Sequence, residues 1–192
     1  HNEIGQLYDF LEKVDEIAKK YDNPGLLQQS DKARKSTQSY AEKFSAVEKY
    51  LADNNKAVGE MTKNGEVVSN AASKFLELQV NAYEKARRAG VDASVLDQYV
   101  QRYIITTHIY EAALKIMRAE KEEIHGRDRK SYKYMQENLP VLMKLYNDLE
   151  AMTTDAAELK LISESRQATL VYEKAAANWI GTDDLLKKQT RE

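Results

Sequence analysis

The fold is decided by a long proline-free stretch, whose central part, Leu51–Ala82, reads LADNNKAVGEMTKNGEVVSNAASKFLELQVNA. It belongs to a segment from Leu26 to Ala89 that contains no proline. Apolar residues recur in it at helical spacing, at Leu51, Val58, Met61, Val67, Val68, Ala71, Phe75, Leu78 and Ala82. Gly59 and Gly65 each cost a helix about 1 kcal/mol relative to alanine. We therefore predict either one long helix that bends near these glycines or two helices with a short break there.

The whole chain is poor in residues that favour turns. Its 192 residues include 7 Gly, 2 Pro and no Cys, and 31% of them are charged. This composition disfavours β-sandwiches and barrels, and the lack of Cys excludes disulfides and thiolate metal sites. The formal net charge of -2 gives no general attraction to nucleic acid or to an anionic membrane surface. No apolar run reaches the length that a transmembrane helix needs.

Four groups of turn residues divide the chain into helices. They lie at Asp22–Gly25, Gly90–Asp92, Gly126–Asp128 and Thr153–Asp155, and Asp92 or Ser94 is expected to cap the helix that follows. The pattern predicts five helices over about 3–21, 26–89, 93–125, 128–152 and 155–190. Pro140 falls within the fourth pattern, so it either kinks that helix or begins it after a separate turn over 132–138.

The chain contains an internal repeat. Ala33–Tyr40 (ARKSTQSY) aligns with Ser165–Tyr172 (SRQATLVY) at an offset of 132 residues. The same offset, without a gap, pairs Leu7 with Leu139, Phe10 with Leu142, Leu11 with Met143, Ile17 with Leu149 and Leu27 with Leu159. We therefore predict an all-α fold of elongated, stacked helical bundles that share a long helix and derive from a duplicated helical hairpin. The first unit would span about 1–60, the connector about 26–89 and the second unit about 93–192.

The duplicated motif Arg-x-x-Thr-x-x-Tyr suggests a site for a carboxylate. The planar guanidinium of Arg binds carboxylates bidentately, and Thr and Tyr hydroxyls add hydrogen bonds without adding charge. The candidate ligand-binding residues are Arg34, Thr37, Tyr40, Arg166, Thr169 and Tyr172. The alternative is that these arginines face solvent and pair with acidic neighbours such as Asp31 or Glu164.

The third helix is a second candidate, because polar residues interrupt its apolar pattern. Arg102, Tyr103, Thr106 and Tyr110 follow one another at intervals that can line one wall of a pocket. The alternative is that their hydroxyls bond to backbone groups within a core. Further along this helix, Arg118 and Lys121 are expected to pair at the surface with Glu120, Glu122 and Glu123.

Other kinds of site find little support. The sequence has no HExxH motif, no pair of His at i and i+4, and no glycine-rich phosphate loop. We therefore expect no metal, no cofactor and no enzymatic activity. Trp179 is expected in the core or near a membrane interface.

The helix order resembles the helical bimodular sensor domain, the extracytoplasmic ligand-binding region of bacterial chemoreceptors (methyl-accepting chemotaxis proteins) and some sensor kinases. The resemblance rests on Ser30–Phe44, on Tyr110–Lys121 and on Glu158–Trp179. It implies one more helix upstream of His1 and a transmembrane helix on each side, so that membrane contact would occur only through flanking segments. It further implies a periplasmic location, a homodimer, and a small organic acid such as acetate or a C4 dicarboxylate as ligand. The alternative is a structural or adaptor bundle without a small-molecule site.

Overall fold

The structure, a computed structural model, describes residues 2–189, with side chains from residue 3 onward. These residues form five α-helices and no strand, which confirms the predicted all-α fold. The helices are α1 (Asn2–Lys20), α2 (Pro24–Arg88), α3 (Ala93–Gly126), α4 (Lys130–Ala151) and α5 (Ala156–Gln189). The predicted helix end at Thr190 and the last two residues lie outside the described part.

Side-chain caps fix where three of the helices begin. Asn23 Oδ1 accepts a hydrogen bond from the Leu26 amide at 3.0 Å, which places the start of α2 slightly earlier than predicted. Asp92 Oδ1 accepts from the Ser94 amide at 2.9 Å, so Asp92 is the cap of α3. Asp155 accepts from two amides in the first turn of α5, at 2.9 and 3.0 Å. Each cap satisfies backbone donors that have no partner within the helix.

The predicted break near the two glycines does not occur, because α2 runs without interruption through Gly59 and Gly65. Gly65 is buried, and a Cβ there would lie 3.1 Å from the Met117 side chain of α3. Gly59 has open space around the position of a Cβ. Gly65 therefore permits a close approach between two helices, whereas Gly59 has no such packing role. The fourth helix likewise continues through Pro140.

The described residues fall into two compact units. Unit 1 contains the residues up to Asn54 and those from Thr182 onward, and unit 2 contains Asn55–Gly181. Both α2 and α5 thus contribute to each unit. The last turns of α5 group with unit 1, whereas the sequence analysis assigned them to the second unit.

Unit 2 contains the main hydrophobic core, to which α2, α3, α4 and α5 all contribute. Its most deeply buried large side chains include Met61, Phe75, Met135, Tyr146 and Leu149. Trp179 is also buried in this core, which agrees with the first of its two predicted locations. Burial of these side chains away from water is the main force that stabilises the unit.

The turn between α3 and α4 is stabilised by a buried carboxylate. Glu123 Oε1 accepts from the amide and from Nη1 of Arg129, at 3.2 and 2.8 Å, and Oε2 accepts from the Tyr132 amide at 3.2 Å. The predicted surface pairing of Glu123 is therefore wrong, since its carboxylate caps the first turn of α4. Arg118 and Glu122 do form the expected surface pair, at 2.9 Å.

Unit 1 exposes apolar side chains along two helices. Phe10 on α1 is 61% exposed and Tyr40 on α2 is 62% exposed. Leu7, Ile17, Phe44 and Leu51 are also exposed, and they continue the same stripes at helical spacing. The repeat offset maps Phe10 onto Leu142 and Tyr40 onto Tyr172, both of which are buried in unit 2. The two copies of the hairpin therefore differ sharply in how much of the apolar face is covered.

Candidate functional site

The two copies of the arginine motif make the same contact between helices. Arg34 Nη2 donates to Asp15 Oδ2 at 2.9 Å, and Arg166 Nη2 donates to Asn147 Oδ1 at 3.0 Å. Partners are 19 residues apart in both cases, and the repeat offset maps one pair onto the other. Such agreement is expected of a duplicated hairpin. Arg166 also pairs with Glu150, so both guanidinium groups join the helices of their own hairpin.

The carboxylate beside Arg34 is well suited to this pairing. The neighbouring Ser30 hydroxyl and then the hydrogen bond from Arg34 lower the pKa of Asp15, so the carboxyl group stays ionised. Ser30 itself is buried. Arg34 is therefore engaged by an internal acid, and not by Asp31 as the alternative prediction suggested; Asp31 instead pairs with Lys35.

The threonines of the two motifs also behave alike, because each bonds to its own helix. Thr37 Oγ1 donates to the carbonyl of the residue four positions earlier, and Thr169 Oγ1 does the same, both at 2.9 Å. Thr169 additionally lies 3.0 Å from the hydroxyl of Tyr146. Burial raises the pKa of Tyr146 to about 12, so this hydroxyl keeps its proton.

The tyrosines of the motifs have different surroundings. Tyr40 stacks on Phe44 with ring centroids 6.1 Å apart and remains exposed. Tyr172 is buried and donates to Glu120 Oε2 at 2.7 Å. Thr169 and Tyr172 line a cavity of about 20 Å³, room for a water molecule but not for an organic acid. In neither copy of the motif, therefore, do the Arg, Thr and Tyr side chains line a cavity large enough for an organic acid.

Glu120 is a buried carboxylate, although its charged neighbours in the sequence predict a surface position. Its side chain lies in the core of unit 2, so the predicted surface pairing is wrong for this residue. Burial raises the pKa of Glu120, and the hydrogen bond from Tyr172 opposes that shift. Burial raises the pKa of Tyr172 as well, and the neighbouring Glu120 charge raises it further. The pair thus remains a tyrosine donor on a carboxyl acceptor.

Two of the four candidate residues on α3 belong to the packed core. Thr106 is buried and donates to the Arg102 carbonyl at 2.8 Å, and Tyr110 packs partly buried against the core cluster. Thr106 therefore follows the alternative, a core residue whose hydroxyl bonds to the backbone, whereas for Tyr110 only the packing against the core is seen. The remaining two, Arg102 and Tyr103, lie at or beside a cavity.

A cavity of about 180 Å³ lies between α2 and α3. Its lining residues are Gln79, Val80 and Tyr83 from α2 and Tyr99, Val100 and Tyr103 from α3. Val80, Val100 and Tyr103 are 47%, 40% and 43% exposed, so this cavity is open to solvent. Gln79 is only 1% exposed, and its Oε1 has no hydrogen-bond partner among the described residues. A buried amide oxygen without a partner is costly, and only a group that donates a hydrogen bond, which an ionised carboxylate does not, would remove that cost.

One carboxylate ties three helices together at this cavity. Glu158 on α5 accepts from Gln79 Nε2 at 2.8 Å through Oε1 and from Arg102 Nη1 at 3.2 Å through Oε2. The Arg102 and Glu158 side chains are only 12% and 9% exposed. The Arg102 guanidinium carbon also lies 4.7 Å from the ring centroid of Tyr99, which lines the cavity.

Opposing effects act on the pKa of Glu158 in this cluster. Burial raises the pKa of Glu158, while the charge of Arg102 and the hydrogen bond from Gln79 lower it. The Nε of Arg102 is buried and has no hydrogen-bond partner among the described residues. The cluster therefore keeps one donor and one acceptor, Arg102 Nε and Gln79 Oε1, available for a further group.

Sequence reasoning missed Gln79 and Glu158. Gln79 follows Phe75 by four residues and so lies on the core-facing side of α2, where a polar residue is unusual. A polar residue at this core-facing position was the one indication in the sequence that Gln79 belongs to a site. Glu158 gave no signal, because an acid in the first turn of a helix is favoured by the helix dipole alone.

Comparison of the chain with protein-family models, with curated proteins and with solved structures gives no match. Among residues 2–189, no helix is both long and apolar enough to cross a membrane. Within the same residues, no three His, Asp or Glu side chains are grouped so that they could hold a metal ion.

Proposed function

We propose that this chain is the ligand-binding region of a bacterial transmembrane receptor of the chemotaxis type, and that it recognises a small organic acid such as acetate or a C4 dicarboxylate. One observation carries the proposal: the cavity of about 180 Å³ adjoins the Arg102 cluster. In this proposal the region is periplasmic, and membrane contact is made only by flanking segments.

The chemistry of the cavity suits a small acid. The guanidinium of Arg102 stays charged at all physiological pH values, and its burial strengthens any hydrogen bond that it donates to a carboxylate. The walls, mainly valine and tyrosine, suit a short carbon chain. Of the three candidate arginines, Arg102 is the one that contacts a residue of this cavity wall. We therefore assign ligand binding to the α3 candidates Arg102 and Tyr103.

Signal transmission is proposed to run through α5. The ligand would contact a cluster that includes Glu158 in the first turn of this helix. A ligand shifts a conformational equilibrium only by as much as its affinities for the two states differ. The proposed signal is thus a change in the position of α5 when its tie to α2 and α3 is altered.

A second candidate function is a structural or adaptor bundle, and the exposed apolar stripes of unit 1 favour it. Such stripes, at Phe10 and Tyr40 among others, commonly mark protein contacts. In the receptor proposal the same stripes form the homodimer interface. The two functions differ in one respect, since the adaptor needs no small-molecule site.

Thermal unfolding with a panel of C2–C4 mono- and dicarboxylic acids, at constant pH and ionic strength, distinguishes the two functions. A ligand at 100 times its Kd adds about 2.7 kcal/mol of stability. For a chain of this length that corresponds to a rise in Tm of several degrees, since 1 kcal/mol shifts Tm by about 2–4 °C. We expect at least one acid to give such a rise.

The variant Arg102→Lys keeps a positive charge beside Glu158 but loses the planar fork, so it should abolish most of the rise. Arg166→Lys is the matched control, because Arg166 is paired within its own hairpin, and it should leave the rise unchanged. A panel in which no acid raises the Tm would contradict the receptor proposal and favour the adaptor.

A further inference from the structure

We infer that Glu158 occupies, in the unliganded protein, the position that the ligand carboxylate takes at Arg102, so that binding is an exchange of one carboxylate for another. The inference rests on the proposed function and adds a regulatory feature to the same site. It is carried by the geometry of Gln79, Arg102 and Glu158, which belong to three different helices of unit 2.

The donors around Glu158 form a ready carboxylate site. Gln79 Nε2 binds one oxygen of Glu158 and Arg102 Nη1 binds the other. Arg102 Nε is buried and without a partner among the described residues, and it lies on the other edge of the guanidinium, next to Nη2. An incoming carboxylate can accept from the same two donors, one for each of its oxygens, with the charge of Arg102 beside it. Gln79 also lines the cavity, so these donors stand at its wall.

The exchange conserves both charge and hydrogen bonds. A second carboxylate added beside Glu158 would bring two negative charges onto one guanidinium, which is unfavourable in a buried site. Replacing Glu158 avoids this, because one ion pair is made for each one broken. Affinity for the acid is then lower than an unoccupied arginine would give, because the ligand must compete with an internal carboxylate that is already in place.

The exchange also supplies the proposed signal. Glu158 lies in the first turn of α5, where Asp155 Oδ1 holds its backbone amide at 3.0 Å. When its side chain leaves Arg102 and Gln79, α5 loses its polar tie to α2 and α3 at this end. The cap by Asp155 remains, so the helix is released without being unwound.

Isothermal titration of the protein with acetate and with succinate tests the inference. The variant Glu158→Gln removes the charge of the internal competitor and keeps its size. We expect it to bind the acid about tenfold more tightly than the wild type, a factor that equals 1.4 kcal/mol. Glu158→Asp, which withdraws the carboxylate by one methylene group, should shift affinity in the same direction. Glu164→Gln is the matched control, since Glu164 lies exposed on the same helix and pairs with Lys160 at 3.7 Å.

The possible outcomes separate the inference from the proposed function. Tighter binding by Glu158→Gln and Glu158→Asp, with measurable binding to the wild type and Glu164→Gln equal to wild type, supports the exchange. Equal affinity in wild type and both Glu158 variants overturns the exchange but leaves the proposed function standing. No binding of either acid to the wild type or to either Glu158 variant overturns both. Hydrogen exchange of residues 156–162 gives a second readout, because faster exchange with the acid bound is expected only if α5 is released.

Discussion

The repeat makes a sharp prediction about two positions that are equivalent in sequence and different in structure. Leu142 is 2% exposed in the core of unit 2, and its repeat counterpart Phe10 is 61% exposed in unit 1. Truncation of a fully buried leucine to alanine costs about 2–5 kcal/mol, from lost burial and from the cavity left behind. Exposed positions change stability by about 0.5 kcal/mol at most. We therefore expect Leu142→Ala to destabilise strongly and Phe10→Ala to be nearly neutral.

Urea denaturation followed by far-UV circular dichroism measures both effects, because the signal reports every helix. With a slope of about 2 kcal/mol/M, the loss in Leu142→Ala lowers the urea midpoint by roughly 1–2.5 M. Phe10→Ala should leave the midpoint within about 0.3 M of wild type by the same slope. Equal losses in the two variants, at a protein concentration low enough to disfavour association, would refute the reasoning, because they would mean that the face around Phe10 is covered within the monomer.

The remaining predictions concern single residues of unit 2, and urea denaturation tests each of them. Gly59→Ala should raise the free energy of unfolding by about 1 kcal/mol, because alanine favours the helix and the space around this position is open. Gly65→Ala should raise it by less, because the new Cβ must displace a side chain of α3. An equal rise in the two variants would contradict the close approach of the helices at Gly65. Burial raises the pKa of Glu120 in the folded state above its unfolded value of about 4.5, so the folded state binds more protons in this pH range. The free energy of unfolding should therefore fall as the pH rises from about 4.5 through the folded-state pKa. Glu120→Gln should reduce that fall, and an unchanged pH dependence would exclude this carboxyl as its cause. Asp155→Ala removes the cap of α5 and should cost about 1 kcal/mol; unchanged stability would show that the cap is dispensable.

Helix positions were predictable because their determinants are local. Asn23, Asp92 and Asp155 each cap a helix within three residues of its start, and such signals can be identified without knowledge of the tertiary structure. The continuity of α2 through Gly59 and Gly65 was not predictable in this way. The cost of about 1 kcal/mol for each glycine is small beside the packing of the same helix in the core.

The site was harder to predict, because the role of an arginine depends on residues that are distant in sequence. Tyr103 lines the cavity, and Arg102 contacts Tyr99 of its wall. Arg34 and Arg166 carry the same motif, but each pairs with a residue 19 positions earlier on the neighbouring helix. The motif therefore reflects a contact that both copies of the hairpin share, which a pattern of Arg, Thr and Tyr alone cannot distinguish from a ligand site.

The central claim is that Arg102, rather than Arg34 or Arg166, receives the carboxylate of the ligand. NMR titration of the arginine Nε–H signals with acetate and succinate tests it most directly, because the Nε atoms of Arg102 and Arg166 both have no hydrogen-bond partner among the described residues and only that of Arg102 should respond. The account predicts that the Arg102 signal shifts with saturating dependence on the acid while the Arg34 and Arg166 signals stay in place. A saturating shift of Arg34 or Arg166, with Arg102 unmoved, would contradict it.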